Sequence, residues 1–429
     1  MTTSAEAEIR RRIIERGPIP FAEFMDVALY WPQGGYYSVA RRSEEGPFGP
    51  GGDYYTSPIT HPAFGALLSV QLYQFWLLLG RPNPFWVVEP GSGNGQLCRD
   101  ILQTAQSLPN GFPDSLRYLC LDRSHQGAAP FHSQAVPIVA DGVPFRDLQG
   151  CVISNELLDS FPVHRVRVEQ GILREVYVAL ESDDVSGEDR LVEWLGDPSN
   201  PNLEVRLEEL GIQLDEGQTA EFNLSLDSWA SSVASALKAG FVLTIDYGKR
   251  AGDLYSTELR PRGTLVTYYR HTQTDSPFRH VGQQDITAQV DFTSAVNAGR
   301  KAGMEPLGYT VQGQFLRNLG FDQLRRRITS TPMPVDQAAA NRAGLLALTR
   351  TDGLGDFKVL VQGKGLPSGR QGLPELWGFA QRPEVRDLVQ ELSLPLLSPR
   401  HMFLPQGWPQ SAVQEYVLDD LMAGPFGDT

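Results

Sequence analysis

The chain has 429 residues, 41% of them hydrophobic and 10% aromatic, a composition that supports a sizeable core and excludes wholesale disorder. With 51 acidic against 37 basic residues the net charge is -14, which argues against nucleic acid or an anionic membrane as the main partner. The three cysteines, Cys98, Cys120 and Cys151, form no C-x-x-C spacing, so neither a disulfide framework nor a bound metal is expected and the compartment reads as reducing.

The first twenty residues, MTTSAEAEIRRRIIERGPIP, mix acids with arginines and hold no apolar block, unlike a secretory signal or transit peptide, so a cytoplasmic location is expected. Residues 66–79, ALLSVQLYQFWLLL, are the most apolar run, but Gln71, Gln74 and a length short of the roughly 20 residues of a membrane span predict a buried helix. From residue 85 onward, short apolar runs alternate with helix-period stretches, the pattern of βα units in a mostly parallel sheet. Strands are expected at 85–89, 117–122, 151–154, 241–247 and 357–361, with a helix over 96–108. Residues 165–235 begin with alternating RVRVEQGILREVYV and read as a hairpin-bearing insertion that could wall a substrate cleft. After Gly365 the chain turns rich in Pro and Gly, and the tail is expected to dock through Trp377, Phe379, Phe403 and Trp408.

Residues 87–97 read V-V-E-P-G-S-G-N-G-Q-L, a glycine turn between strand and helix where backbone can approach a ligand closely. A dinucleotide fingerprint would need glycine at position 96, which is Gln96, and no phosphate-binding G-x-x-x-x-G-K-[ST] occurs. Glu89 before the glycines would repel a pyrophosphate and welcome a cationic ligand; S-adenosylmethionine carries both an ammonium and a sulfonium. Asp122, closing the next strand, can accept the ribose hydroxyls, or else serve as a helix cap in the Asp122-Arg123-Ser124 turn. Asp141 could reach the adenine or ribose, or serve as an Asp-Gly turn residue.

At the end of the 151–154 strand come Asn155, Glu156 and Asp159, placed where ligands bind in open α/β sheets. A helical turn there would put Asn155 and Asp159 on one side, and the alternative is that Asn155 caps a short helix. A second polar cluster, 244–248 with Tyr247, ends the 241–247 strand. His164 and His280 lack ligand-spaced partners and read as surface or packing residues.

Six motifs in order, G-D-Y-Y-T-S-P (52–58) with Phe64-Gly65, E-x-G-x-G-x-G (89–95), N-E-L-L-D-S-F-P-V-H (155–164), I-D-Y-G (245–248), D-I-T-A-Q-V-D-F-T (285–293) and Q-G-Q-F-L-R-N-L-G (312–320), resemble the MidA family over residues 17–364. The resemblance implies an α/β class I methyltransferase, a Rossmann-like, mostly parallel seven-stranded sheet with an inserted subdomain and a C-terminal extension. It also implies S-adenosyl-L-methionine as cofactor and protein arginine methylation supporting respiratory complex I assembly, with a complex I type subunit as the protein partner. On this basis Gly91, Gly93 and Gly95 cradle the methionine part, Asp122 meets the ribose, and Thr56, Ser57 and Pro58 close over the cofactor. Asn94 replaces the family's basic residue, and Leu121-Asp122-Arg123-Ser124 keeps its second-strand motif only in part. Gripping and deprotonating an arginine falls to Glu156 and Asp159, oriented by Asn155 and Tyr247. The expected organisation is an N-terminal helical segment (1–80), a core (81–164 and 236–365), an insertion (165–235) and an extension (366–429). Other readings are a small-molecule methyltransferase on the same fold and a non-catalytic cofactor-binding assembly chaperone.

Overall fold

The computed structural model describes residues 3–38, 55–123, 134–182, 189–270, 272–366, 372 and 374–401. The chain divides into two compact units, one of Met1–Ala40, Leu157–Trp229 and Gly248–Ala298, the other of Arg41–Glu156, Ala230–Tyr247 and Gly299–Thr429.

The second unit is built on a seven-stranded sheet of β1 (Phe85–Pro90), β2 (Leu116–Asp122), β3 (Ala135–Val139), β4 (Leu148–Asn155), β5 (Leu237–Asp246), β6 (Glu305–Val311) and β7 (Lys358–Lys364). The spatial order is β6-β7-β5-β4-β1-β2-β3. Neighbours from β5 through β4, β1 and β2 to β3 are parallel, while β7 runs antiparallel to both β5 and β6. The sheet is therefore mixed, and the 357–361 run, expected as a strand of a mostly parallel sheet, is the reversed one. After β1 the chain steps outward through β2 to β3, then crosses back to β4 on the other side of β1. That reversal opens a crevice at the carboxyl ends of β1 and β4, the usual ligand position in such sheets.

Two helices back this crevice. The helix α1 (Ala63–Leu78) is apolar on every face and is buried accordingly, Gln71 and Gln74 included. The helix α2 (Gln96–Ala105) turns Leu97, Ile101, Leu102 and Ala105 into the core. It stops three residues before the expected end, because Pro109 disfavours a helical conformation for Leu108. Trp377 and Phe379 pack against this core as expected; Phe403 and Trp408 lie outside the described residues.

In the first unit, His164–Glu169 and Ile172–Ser182 form an antiparallel hairpin joined by Gln170 and Gly171. Both joining residues have positive φ, 54° and 73°, as a tight hairpin turn requires. The grouping of residues differs from the boundaries expected at 80, 164, 235 and 365. Pairing of Ile19–Pro20 with Ile172–Ser182 draws the first 40 residues to the insertion, and pairing of Gly248–Lys249 with Val290–Asp291 gathers 248–298 into the same unit. Backbone pairing across long sequence separations leaves no local mark, so linear boundaries could not anticipate it.

Gly150 on β4 lies opposite Trp86 of β1, and a Cβ there would sit 1.8 Å from the Trp86 carbonyl oxygen. Backbone cannot yield as a flexible side chain does, so Gly150→Ala is expected to destabilise the protein by about 1–3 kcal/mol or more. Urea unfolding checks this, with a lowered midpoint at unchanged slope as the expected result.

Candidate cofactor and acceptor site

The glycine turn leaves β1 through three residues of positive φ, Gly91 (70°), Gly93 (51°) and Gly95 (70°), a path that side chains would strain. Its backbone is fastened to the end of β2. Ser92 N donates to Leu121 O at 3.1 Å, and Gly93 N donates to Asp122 Oδ2 at 3.0 Å. Within the turn, Gly95 N donates to Ser92 O, and Asn94 Oδ1 accepts from Gln96 N at 3.1 Å. Asp122 thus holds the turn in shape, a task neither of its expected roles included and one compatible with ribose binding. Asp141 follows β3 in a bend, with an 82% exposed side chain paired to Arg123 at 2.9 Å. Ala140 N donates to Asp122 O, which keeps this bend beside the carboxyl end of β2.

Glu89 is buried on β1 and accepts a hydrogen bond from Tyr118 Oη at 2.7 Å. Burial pushes its carboxyl up to about 8, with the Tyr118 hydrogen bond opposing the rise and the nearby Asp122 charge adding to it. At neutral pH the group is mostly protonated, and an approaching cation would favour its charged form. This refines the reading of Glu89 as a standing negative charge.

At the end of β4 there is neither a helical turn to set Asn155 and Asp159 on one side nor a short helix for Asn155 to cap. Glu156 instead takes a left-handed conformation (φ 51°), and its N–H donates to Ile245 O at 2.9 Å. That conformation is uncommon for a residue with a long side chain and is a recurrent mark of functional sites. Glu156 Oε1 accepts from Asn155 Nδ2 at 2.8 Å, and Ser57 N lies 3.4 Å from the same oxygen. Thr56, Ser57 and Pro58 are buried at the start of the short helix Ser57–Thr60, with Ser57 Oγ on Gln312 Oε1 at 3.1 Å. The first three residues of the 52–58 motif lie outside the described residues. Tyr247 follows β5, the neighbour of β4; its N–H donates to Asp246 Oδ1 and its ring lies 5.5 Å from that of Phe357.

One unit therefore brings together Glu89, the glycines, Asp122, Asp141, residues 56–58, Asn155, Glu156 and Tyr247. Asp159 belongs to the other unit, where it is buried and its carbonyl accepts from Ala288 N. His164 forms a hydrogen bond with the buried Glu175 at 2.7 Å and His280 stacks on Tyr269, both within the first unit. The sequence reading passed over Tyr118 and gave no role to Ser92 and Gln312 beyond membership of a motif; their polar groups become informative only through their partners.

The turn's positive-φ glycines, the carboxylate at the end of β2 and the buried acid on β1 suit a ligand that brings hydroxyls and positive charge. Residues 67–310 match the family model described as "Putative S-adenosyl-L-methionine-dependent methyltransferase". The chain belongs to this family. S-Adenosyl-L-methionine is accordingly its cofactor, and the fold is that of an α/β methyltransferase. A Drosophila melanogaster protein named protein arginine methyltransferase NDUFAF7 homolog, mitochondrial, is 26% identical over 88% of this chain and 89% of its own length. The Homo sapiens protein arginine methyltransferase NDUFAF7, mitochondrial, is 26% identical over 72% of each chain. A crystal structure from Burkholderia thailandensis bound to S-adenosyl-homocysteine is 28% identical, with a TM-score of 0.76, over 89% of this chain and 96% of that one.

Asp122→Ala removes the acceptor of the Gly93 N–H, and on the expectation that the same carboxylate meets the ribose it should weaken cofactor binding by about 1–3 kcal/mol in calorimetry. An unchanged affinity with lowered thermal stability would leave Asp122 a purely structural residue. For Glu89, the folded carboxyl titrates near 8 against 4.5 for an ordinary glutamate. The folded state keeps the extra proton between these values, so this group's contribution to stability falls as pH rises through that window and levels off above about 8. Glu89→Gln is expected to gain on the wild type progressively from about pH 5 to 8 when ligand-free unfolding is followed by urea titration.

Proposed function

We propose that this protein methylates arginine on a protein substrate, a subunit of a respiratory complex I type assembly, in the cytoplasmic compartment. The observation that carries the reading is Glu156, a carboxylate in a strained backbone conformation at the strand end beside the cofactor's glycine turn. The names of the relatives, arginine methyltransferases of mitochondria, support the acceptor class.

When bound, S-adenosyl-L-methionine supplies an electrophilic methyl group. The chain's own residues must prepare the acceptor. A guanidinium has a pKa above about 12 and is a poor nucleophile while its charge is delocalised. The Glu156 carboxylate, oriented by Asn155 Nδ2 and Ser57 N, binds and aligns the guanidinium, biases its charge toward the gripped nitrogens and takes up the departing proton on a carboxylate oxygen. Tyr247 orients the substrate from the end of β5. Asp159 is the second proposed carboxylate on sequence grounds and is tested on its own.

Glu156→Gln keeps shape and removes charge, so cofactor affinity should hold while turnover falls about 10²-fold or more. Asp159→Asn is measured in the same way. Labelled cofactor incubated with cell lysate, followed by mass spectrometry of arginine on the labelled band, identifies the acceptor. Label in a small-molecule fraction would overturn the protein substrate, and wild-type turnover in Glu156→Gln would overturn the role of Glu156.

A further inference from the structure

Gln71 and Gln74 stand out in the otherwise apolar α1, both essentially buried. Their partners are the backbone of the C-terminal extension. Gln71 Oε1 accepts from Gly378 N at 2.9 Å, Gln74 Oε1 accepts from Trp377 N at 2.8 Å, and Gln74 Nε2 donates to Glu375 O at 3.3 Å. Further on, Ser393 N donates to Ser107 Oγ just beyond α2, and Leu397 N donates to Asn341 Oδ1, which also meets His61 Nε2 at 3.2 Å. His401 is buried, with its Nε2 3.0 Å from Gln96 Nε2 and 3.3 Å from Asp100 Oδ2. Gln96 Nε2 also donates to Asp100 Oδ1 at 2.9 Å, and Ser398 N and Oγ lie 3.1 and 3.0 Å from His401 Nδ1.

Gln96 is the first residue of α2 and follows Gly95 directly, so the side chain at the mouth of the cofactor turn is anchored by the tail. Buried polar groups are costly without partners, and withdrawing the tail would take away the partners of Gln71 Oε1, Gln74 Nε2 and Asp100 Oδ2, leaving only the Gln71–Gln74 and Gln96–Asp100 bonds in place. We infer that residues 375–401 are a working part of the cofactor site, with His401 a positioning residue that fixes the first turn of α2 and thereby the glycine turn. These residues lie outside the 67–310 matched by the family model. Because the tail is held by backbone and side-chain hydrogen bonds to the two helices behind the crevice, tail docking and cofactor binding are coupled, and the coupling is reciprocal. The inference rests on the cofactor site, and a wild-type chain that fails to bind S-adenosyl-homocysteine would count against that site rather than against the tail.

Calorimetry with S-adenosyl-homocysteine on the full chain, together with amide hydrogen exchange, tests it. His401→Ala should weaken binding about 5-fold or more and speed ligand-free exchange at Gly95 and Gln96. His401→Gln, which can still hydrogen-bond Gln96, should recover part of the affinity, and Arg190→Ala, which removes an exposed ion pair with Glu181 in the first unit, should leave affinity unchanged. In the wild type, saturating ligand should slow exchange at Ser398 and His401. Affinity within twofold of wild type in His401→Ala, or tail amides indifferent to ligand in the wild type, would overturn the proposal; the second measurement stands even where the alanine variant does not fold.

Discussion

The hydrogen bond from Gly93 N to Asp122 Oδ2, with that from Ser92 N to Leu121 O beside it, is the constraint on which the site depends. Between them they fix a glycine turn, a path that side chains would strain, against the end of a neighbouring parallel strand. The register of β1 with β2 places Pro90 opposite Leu121, so strand pairing delivers the two partners to each other before any ligand arrives. A preorganised turn spares the ligand the cost of ordering it.

Around that turn the electrostatics are held in reserve. Glu89 is kept mostly neutral by burial, and its proton is the more easily lost the closer a positive charge comes. The neutral acid costs the fold less than a buried carboxylate would, while remaining able to answer a cationic ligand. The proposed acceptor side is built differently. Glu156 carries local backbone strain, offset by the hydrogen bond of its own N–H to β5 and by Asn155.

Behind the crevice, polarity does structural work in an apolar setting. The two glutamines of α1 would be unfavourable in a helix buried on all sides, yet each is matched to backbone of the extension. Such satisfied buried groups specify one docking register for a segment whose composition alone, rich in Pro and Gly, specifies little.

The sequence by itself determined the alternating β and α elements, the glycine turn, the acid before it, the strand-end polar clusters and the buried character of α1, because each is written in local periodicity or in residue types with fixed conformational needs. It also carried the family, through six motifs whose order is a linear property. Only the tertiary structure decided that β7 is reversed, that Glu156 is left-handed at a strand end without a helical turn, that Asp159 is grouped away from Glu156, and that residues 1–40 and 248–298 join the insertion. It alone matched Gln71, Gln74 and Gln96 to a tail some 300 residues distant in the chain. These outcomes rest on hydrogen bonds between distant residues, and strand direction, register and the pairing of buried polar groups are properties of the packed chain that no local pattern encodes.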